Sequence, residues 1–411
     1  VGGTQLGSVF QATSDETAYG MLEAAWEAGV RYFDTSPWYG LGLSERRLGN
    51  FLDDKDPSEY LLSTKVGRVL YPDADAGQIG IWMDENHFGH RYDYTAEGVR
   101  KSIEDSLQRL GVPKIDIVLI HDLAPSNTDL DDYEAQLRVA MDGAMPELTR
   151  LREEGLIRGW GMGVNDIEPA LAAMENADPD VILQACQYSL MEHEDALQRL
   201  FPVCREKEVG VIVGAPLGAG YLAGTEHWLY GETVPAAIAQ RRERLNAVAA
   251  RHSVDLRTAS LQFTTAPDVV FATIPGARNA DQVRKNRASM DVAIPEAFWS
   301  DLRAEGLMHA DAPTPARPPL PPTPRIRRSR RPMKTNTIGS LSVSAVGLGC
   351  NNFGWHIDQA QTQKVVDAAL DAGITLFDTA DVYGEGESET MLGKALGDRR
   401  DQILIASKAG M

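Results

Sequence analysis

Residues 30–49 read VRYFDTSPWYGLGLSERRLG, and the residue types in this stretch decide the fold. Val30 to Phe33 has the length and apolar character of a short buried strand. It leads directly to Asp34, Tyr39 follows in the same loop, and the spacing predicts a helix over Ser44 to Leu52. Two later stretches repeat the logic. Leu61 to Val66, LLSTKV, is an apolar strand ending on Lys65, and Ile115 to Ile120 is an apolar strand leading to His121. Three successive strands therefore bring Asp34, Tyr39, Lys65 and His121 to what would be one rim of a parallel barrel.

Working outward, Val1 to Ser8 reads as the end of a first barrel strand with its glycine-rich loop, the strand itself cut away. Thr13, Ser14, Asp15 and Glu16 form the pattern of a capping box, with Thr13 as cap. Ala18, Met21, Leu22, Ala25 and Trp26 follow at helical spacing, and Gly29 ends that helix. Gly67 to Tyr94 reads as a long loop, and Thr95 to Leu110 as a helix with Val99, Ile103, Leu107 and Leu110 on one face. Further strands are predicted at Ile157–Met162, Val181–Ala185, Gly210–Val213 and Val269–Ile274, with amphipathic helices between them. Strands alternating with helices imply a parallel sheet. Eight such units in about 300 residues suit a (β/α)8 TIM barrel, with its site at the carboxyl ends of the strands.

The composition is that of an ordinary globular protein: 43% hydrophobic and 24% charged residues in a chain of 411. A net charge of −19 argues against nucleic acid as a partner held by a global basic surface. No apolar run reaches the roughly 18 residues of a membrane span. No secretory signal opens the chain, although Val1 is not a natural start. Cys186, Cys204 and Cys350 lie far apart, without metal spacing. They read as buried thiols of a cytoplasmic protein, with no metal site.

The character changes at Ala312. Residues 312–332, APTPARPPLPPTPRIRRSRRP, are Pro- and Arg-rich without periodicity and read as an extended, solvated linker. From Met333 the chain begins again. Ile374 to Lys394 matches Val30 to Asn50 at ten of 21 positions. Asp378 corresponds to Asp34, Tyr383 to Tyr39, Gly384 to Gly40, Ser388 to Ser44 and Lys408 to Lys65. The expected organisation is a barrel over 1–311, a linker over 312–332, and over 333–411 the amino-terminal fragment of a second copy. This pattern looks like the end of one gene joined to the start of its neighbour.

The four rim residues, in this order and setting, resemble the catalytic tetrad of the aldo-keto reductases. Thr335 to Val343 resembles the hairpin that plugs the barrel floor in that family, and Ala345 to Cys350 its first strand. The resemblance implies that Tyr39 is the general acid/base and that Lys65 lowers its pKa. It also implies that Asp34 holds Lys65 and that His121 orients the substrate oxygen. A phenol titrates near 10, so some such help is needed at neutral pH. The resemblance places a nicotinamide dinucleotide as well, although no GxGxxG fingerprint follows a strand here. Asn165 would hold the carboxamide, with Gln184 or Gln187 beside it. Pro216 and Leu217, in Ala215 to Leu222, would belong to the loop over the pyrophosphate. Gly276, Arg278, Gln282 and Asn286 would form the adenosine-binding segment, with a helix opening near Asn279. Gly214 and Ala215 stand where many members carry an aromatic. Gly276 and Gln282 stand where NADP-dependent members carry Lys and Arg, so NAD is the expected cofactor. NADP remains open through Arg278.

At branch level, SPWYGLGLSERRLG, residues 84–111 and CQYSLMEHEDAL look most like aldose 1-dehydrogenases, including L-fucose dehydrogenases, and pyridoxal 4-dehydrogenase. Those enzymes oxidise a sugar hemiacetal or pyridoxal to a lactone. Trp38, His87, Phe88, Tyr92 and Tyr94 are candidate walls for such a ring. The competing readings are an NADPH-dependent reductase of aldehydes or ketones, a nicotinamide-binding regulatory subunit without turnover, and a fusion of fragments without function. The partner expected is a small sugar or aldehyde; the oligomeric state is open.

Overall fold

The structure, a computed structural model, describes all residues except 85, 232, 316–334, 339 and 409–411. The chain divides into two compact units. In the first the strands are β1 (Tyr32–Asp34), β2 (Leu61–Val66), β3 (Arg68–Gly77), β4 (Asn86–Tyr92), β5 (Ile117–His121), β6 (Gly159–Val164), β7 (Val181–Ala185), β8 (Gly210–Gly214) and β9 (Val270–Ile274). Seven of them form one sheet in the order β1-β2-β5-β6-β7-β8-β9, with every neighbour parallel. This is a (β/α)8 barrel with its first stave reduced to a remnant. Gly2 bridges to Asp34 on one side. On the other, a Cβ placed on Gly2 would come within 3.2 Å of the Ile274 carbonyl oxygen.

Period-two alternation sorts the side chains of each strand. Ile117, Leu119, Val181, Leu183, Ile212 and Ile274 fill the barrel interior. Phe33, Leu62, Val66, Val118, Ile120, Met162 and Ile182 face the helices and join the large outer core. The same parity sends Asp34, Lys65 and His121 inward at the upper edge of the interior. Pairing register staggers them: Asp34 lies beside Ser63, Lys65 beside Leu119, and His121 beside Gly163.

Several local expectations are corrected. The first helix, Asp15–Glu27, is capped by Ser14, whose hydroxyl accepts from the Thr17 amide, and not by Thr13. Ser14 has the extended backbone a cap needs, while the Thr13 hydroxyl bonds to the Gln11 carbonyl instead. The first strand starts at Tyr32, because the Val30 amide still closes the preceding helix on Ala25. Thr95 is the cap of the helix Ala96–Leu110, and Gly42 precedes the helix Leu43–Leu52. The third barrel strand runs Ile117–His121 and the fourth Gly159–Val164, both shifted toward their carboxyl ends. Gly67 to Tyr94 is not a loop: β3 and β4 form an antiparallel hairpin over the barrel mouth. Ala312, expected to open the linker, is buried in the core of the first unit and accepts from Arg303. The rest of the expected linker, from 316, and Met333 lie outside the described residues.

The second unit contains the hairpin β10 (Thr335–Ile338) and β11 (Leu341–Ser344). It also holds a parallel three-stranded sheet of β12 (Gly347–Gly349), β13 (Leu376–Asp378) and β14 (Leu404–Ala406). Helices Gln359–Asp371 and Glu387–Leu396 cover it with a core of Cys350, Phe353, Val366, Phe377, Leu392 and Leu396.

Gly161 tests the packing of the first unit. A Cβ there would lie 1.6 Å from the Val181 carbonyl oxygen, a backbone atom that cannot step aside. Gly161→Ala is expected to part β6 from β7 and cost about 2–3 kcal/mol or more. A melting temperature equal to the wild type would refute this close approach.

Candidate active site

The site begins with a buried ion pair. Lys65 Nζ donates to Asp34 Oδ2 at 2.8 Å, and both side chains are 1% exposed. Lys65 also donates to the Thr35 carbonyl at 2.7 Å, and the Ser63 hydroxyl donates to the other Asp34 oxygen at 2.7 Å. Buried charges survive only when so paired and hydrogen-bonded. The loop carrying Tyr39 is held by contacts that only glycine permits. A Cβ on Gly7 would lie 2.6 Å from the Gly40 nitrogen, and Gly40 itself has φ +63°. Thr35 Oγ1 and Ser44 Oγ are 2.8 Å apart, and Ser44 donates to the Gly3 carbonyl at 2.8 Å.

The structure brings all four rim residues together. Lys65 Nζ sits 4.5 Å from the centre of the Tyr39 ring, and the rings of Tyr39 and His121 meet edge to face at 5.8 Å. Trp82 packs on the other side of Tyr39 at 5.9 Å. Burial, reinforced by the carboxylates of Asp34 and Asp122, holds the Tyr39 phenol well above its usual range. The ammonium hydrogens go to Asp34 and Thr35, and desolvation of a phenolate outweighs the charge nearby. Burial also pushes the His121 imidazole down to about 3, so it is neutral at pH 7.

Residues the sequence reading passed over complete the rim. Asp122, with φ +49°, accepts from Arg68 Nη2 at 2.8 Å. Although burial opposes it, the Arg68 guanidinium, by charge and hydrogen bond, holds its carboxyl below the usual range. The Arg68 guanidinium lies 4.1 Å over Trp38 and 4.8 Å over Tyr92. Ser36 Oγ is 3.1 Å from His121 Nδ1. Asp122 is adjacent to His121 in sequence and Ser36 lies inside the DTSPWYG motif, so position alone could have flagged both. Of the expected walls, Trp38 and Tyr92 border this cluster, and Phe88 packs beside Trp82. His87 is exposed on the hairpin. Tyr94 is wholly buried, with its hydroxyl spent on the His121 carbonyl.

The expected cofactor residues lie beyond the carboxyl ends of β6 to β9. Gln187 donates to the Asn165 carbonyl at 2.9 Å. Gln184 faces away from the interior, toward the Val164 and Asp166 carbonyls. Pro216 and Leu217 are buried in a turn of left-handed residues, Ala215 and Gly218 to Gly220. The Gln282 side chain accepts from the Arg278 amide at 2.8 Å, and Asn286 donates to the Gly276 carbonyl at 3.3 Å. The helix there, Ala280–Ser289, is capped by Asn279.

Two observations suit a flat dinucleotide across this face. Gly163 and Gly214 leave a cradle: a Cβ on Gly163 would sit 3.5 Å from Lys65 Cε, and one on Gly214 would sit 3.1 Å from Ala185 Cβ. The buried amide oxygen of Gln5, whose Cγ lies 4.0 Å from a Cβ placed on Gly276, has no partner. Among the described residues no group of three or more His, Cys, Asp or Glu is placed to hold a metal ion. No described helix is long and apolar enough to cross a membrane. All three thiols are buried and free.

The second unit repeats the first half of the site. Lys408 Nζ donates to Asp378 Oδ2 at 2.6 Å, to the Thr379 carbonyl at 3.1 Å and to the Tyr383 hydroxyl at 3.2 Å. Here the pair is 44% and 45% exposed.

The chain is similar to known proteins in sequence and in fold. The model of the Aldo/keto reductase family matches residues 1–305 and 345–411. D-threo-aldose 1-dehydrogenase of Pseudomonas sp is 34% identical over 311 residues, covering 73% of this chain and 91% of the relative. Pyridoxal 4-dehydrogenase of Microbacterium luteolum is 34% identical over 327 residues, covering 75% and 93%. Among solved structures, the holo form of an aldo-keto reductase from Bacillus halodurans superposes with a TM-score of 0.58 at 22% identity, covering 75% of this chain and 91% of that one. That likeness concerns the fold.

Two measurements probe the electrostatics. Lys65→Met strands a buried carboxylate and is expected to cost about 3–5 kcal/mol in urea unfolding. Lys65→Met with Asp34→Leu should recover much of it; a double variant no more stable than the single one would refute the pairing. His121 is neutral in the fold down to about pH 3, whereas in the unfolded chain it protonates near 6.5. The unfolded chain therefore binds more protons between these values, and stability falls as pH drops through that window. His121→Gln should reduce the loss of stability between pH 7 and pH 5 by about 2 kcal/mol. An unchanged loss would refute a neutral His121.

Proposed function

The chain belongs to the aldo/keto reductase family and is an NAD(P)-dependent oxidoreductase, and on that premise we propose that it oxidises an aldose hemiacetal, such as L-fucose, or pyridoxal to the lactone. The observation that carries this reading is the meeting of Tyr39, His121 and the Lys65–Asp34 pair at the rim of the barrel. Two relatives whose names state aldose and pyridoxal dehydrogenation support the substrate class.

In the proposed reaction the substrate hydroxyl lies on the carbon that loses hydride. A nicotinamide held by the residues named below would supply the acceptor for that hydride. Tyr39 removes the hydroxyl proton as general base, and His121 donates a hydrogen bond that orients the same oxygen. Lys65 stabilises the phenolate that takes the proton, and Asp34 keeps Lys65 in place. Asn165 and Gln187 would hold the carboxamide, and Pro216 and Leu217 would flank the pyrophosphate. Gly276, Arg278, Gln282 and Asn286 would carry the adenosine. We favour NAD over NADP because Gln282 is exposed and already bonded to the Arg278 amide, which leaves Arg278 as the one cation of the four. Both cations near the rim are already paired, Lys65 with Asp34 and Arg68 with Asp122. The rim so balanced suits a neutral polyhydroxylated or pyridine ring rather than an anion.

Mixing the full chain with NAD and L-fucose, or with NAD and pyridoxal, is expected to raise the absorbance of reduced nicotinamide. Tyr39→Phe should abolish it, by at least the roughly 10²–10⁴-fold of a general base. Because the resting phenol is protonated, oxidation should accelerate as pH rises from 7. Turnover only with NADPH and an aldehyde would replace this reading with the reductase. Tight NAD binding without turnover of either sugar or pyridoxal would replace it with a regulatory subunit.

A further inference from the structure

A donor of hydrogen bonds to the substrate oxygen must carry a proton on the ring nitrogen that faces it. A neutral imidazole has one such proton, and its position is set by what the other nitrogen touches. In this chain His121 Nδ1 faces Ser36 Oγ at 3.1 Å, with both residues buried. Ser36 Oγ already accepts from the Trp38 amide at 3.1 Å. The far side of the ring faces a charge: Nε2 lies 3.6 Å from Asp122 Oδ1. That carboxylate is anchored by Arg68, itself buried and sandwiched between Trp38 and Tyr92.

The two tautomers have unequal consequences. With the proton on Nδ1, the lone pair of Nε2 would face the Asp122 carboxylate, and the Ser36 hydroxyl hydrogen would have no role in this contact. With the proton on Nε2, the Ser36 hydroxyl donates to Nδ1 while accepting from Trp38, and Asp122 Oδ1 at 3.6 Å, too far for a hydrogen bond, sits near the positive end of N–H without engaging it. We propose that Ser36 is a positioning residue that fixes His121 in the tautomer with its proton on Nε2, directed at the substrate oxygen. Asp122 reinforces the choice from the opposite side. The second unit has Ala380 where the first has Ser36. This inference rests on the reading in which His121 meets the substrate oxygen.

The test uses the full chain labelled with 15N-histidine and two-bond proton–nitrogen correlation spectra at pH 7, with the His121 signal identified by its loss in His121→Gln. The wild type is expected to show the Nε2–H pattern. Ser36→Ala should move the signal toward a mixture or the Nδ1–H pattern and lower kcat roughly ten- to a hundredfold, less than loss of a whole acid–base group. NAD affinity should be unchanged, and Ser36→Thr, which keeps the hydroxyl, should restore both readouts. A wild type in the Nδ1–H form overturns the proposal. So does a Ser36→Ala variant with unaltered tautomer and kcat. Should Ser36→Ala not fold, Ser36→Cys, of similar shape and with a weaker donor, takes its place. If no sugar or pyridoxal is turned over by the wild type, the dehydrogenase reading fails while the spectra still decide the role of Ser36.

Discussion

The Lys65–Asp34 ion pair is the constraint on which the rest of the site depends. Two charges taken fully out of water are tolerated only if their attraction and every remaining hydrogen bond are satisfied. Lys65 therefore needs the Thr35 carbonyl, and Asp34 needs the Ser63 hydroxyl. The Thr35 carbonyl is available only if the chain turns sharply after β1. That turn is fixed by the Thr35–Ser44–Gly3 hydrogen-bond chain and by the contact of Gly7 with Gly40. Tyr39 rides on the turn, so its ring position follows from the needs of a charge pair beneath it.

The second unit separates what is local in this arrangement from what is not. Thr379 and Ser388 lie 3.0 Å apart, and Ser388 donates to the Cys350 carbonyl at 2.8 Å, as Thr35, Ser44 and Gly3 do in the first unit. Three short strands and two helices thus suffice to set the geometry of Asp, Lys and Tyr. They do not suffice to dry it, since Lys408 and Asp378 stay nearly half exposed. In the first unit the walls that exclude water come from elsewhere: Leu119 of β5, Gly163 of β6 and the rim cluster of Val9, Leu41, Leu70 and Trp82. An ion pair in water is worth little, and the same pair in a dry site polarises its neighbours strongly.

This division explains what could be read in the sequence. The barrel strands and the inward positions of Asp34, Lys65 and His121 follow from alternation, a local property. The hairpin of β3 and β4 escaped because Asp73, Asp75 and Gly77 disguise its strand pattern, and its apolar partners Val9 and Leu41 come from other segments. Gln184 and Gln187 could not be told apart because their directions depend on how the chain turns after β7, where Cys186 takes φ +66°. The direction of the Tyr39 shift was out of reach for a different reason. A neighbouring ammonium is visible as a residue type, whereas the degree of desolvation is a property of the whole fold.

That desolvation settles how the rim is charged at rest. Arg68 and Lys65 each face a carboxylate, while Tyr39 and His121 are held neutral by burial. A rim built this way presents neutral hydrogen-bonding groups backed by fixed dipoles, so a substrate hydroxyl enters without displacing an ion. The charge appears only when the proton moves to or from Tyr39. The Lys65 ammonium, 4.5 Å from the ring centre, is then already oriented and needs no reorganisation. The high resting position of the phenol and the preorganised ammonium are therefore two sides of one design. In the proposed oxidation the phenolate must stand ready before it takes the substrate proton, so burial sets its cost and the preorganised ammonium offsets part of that cost.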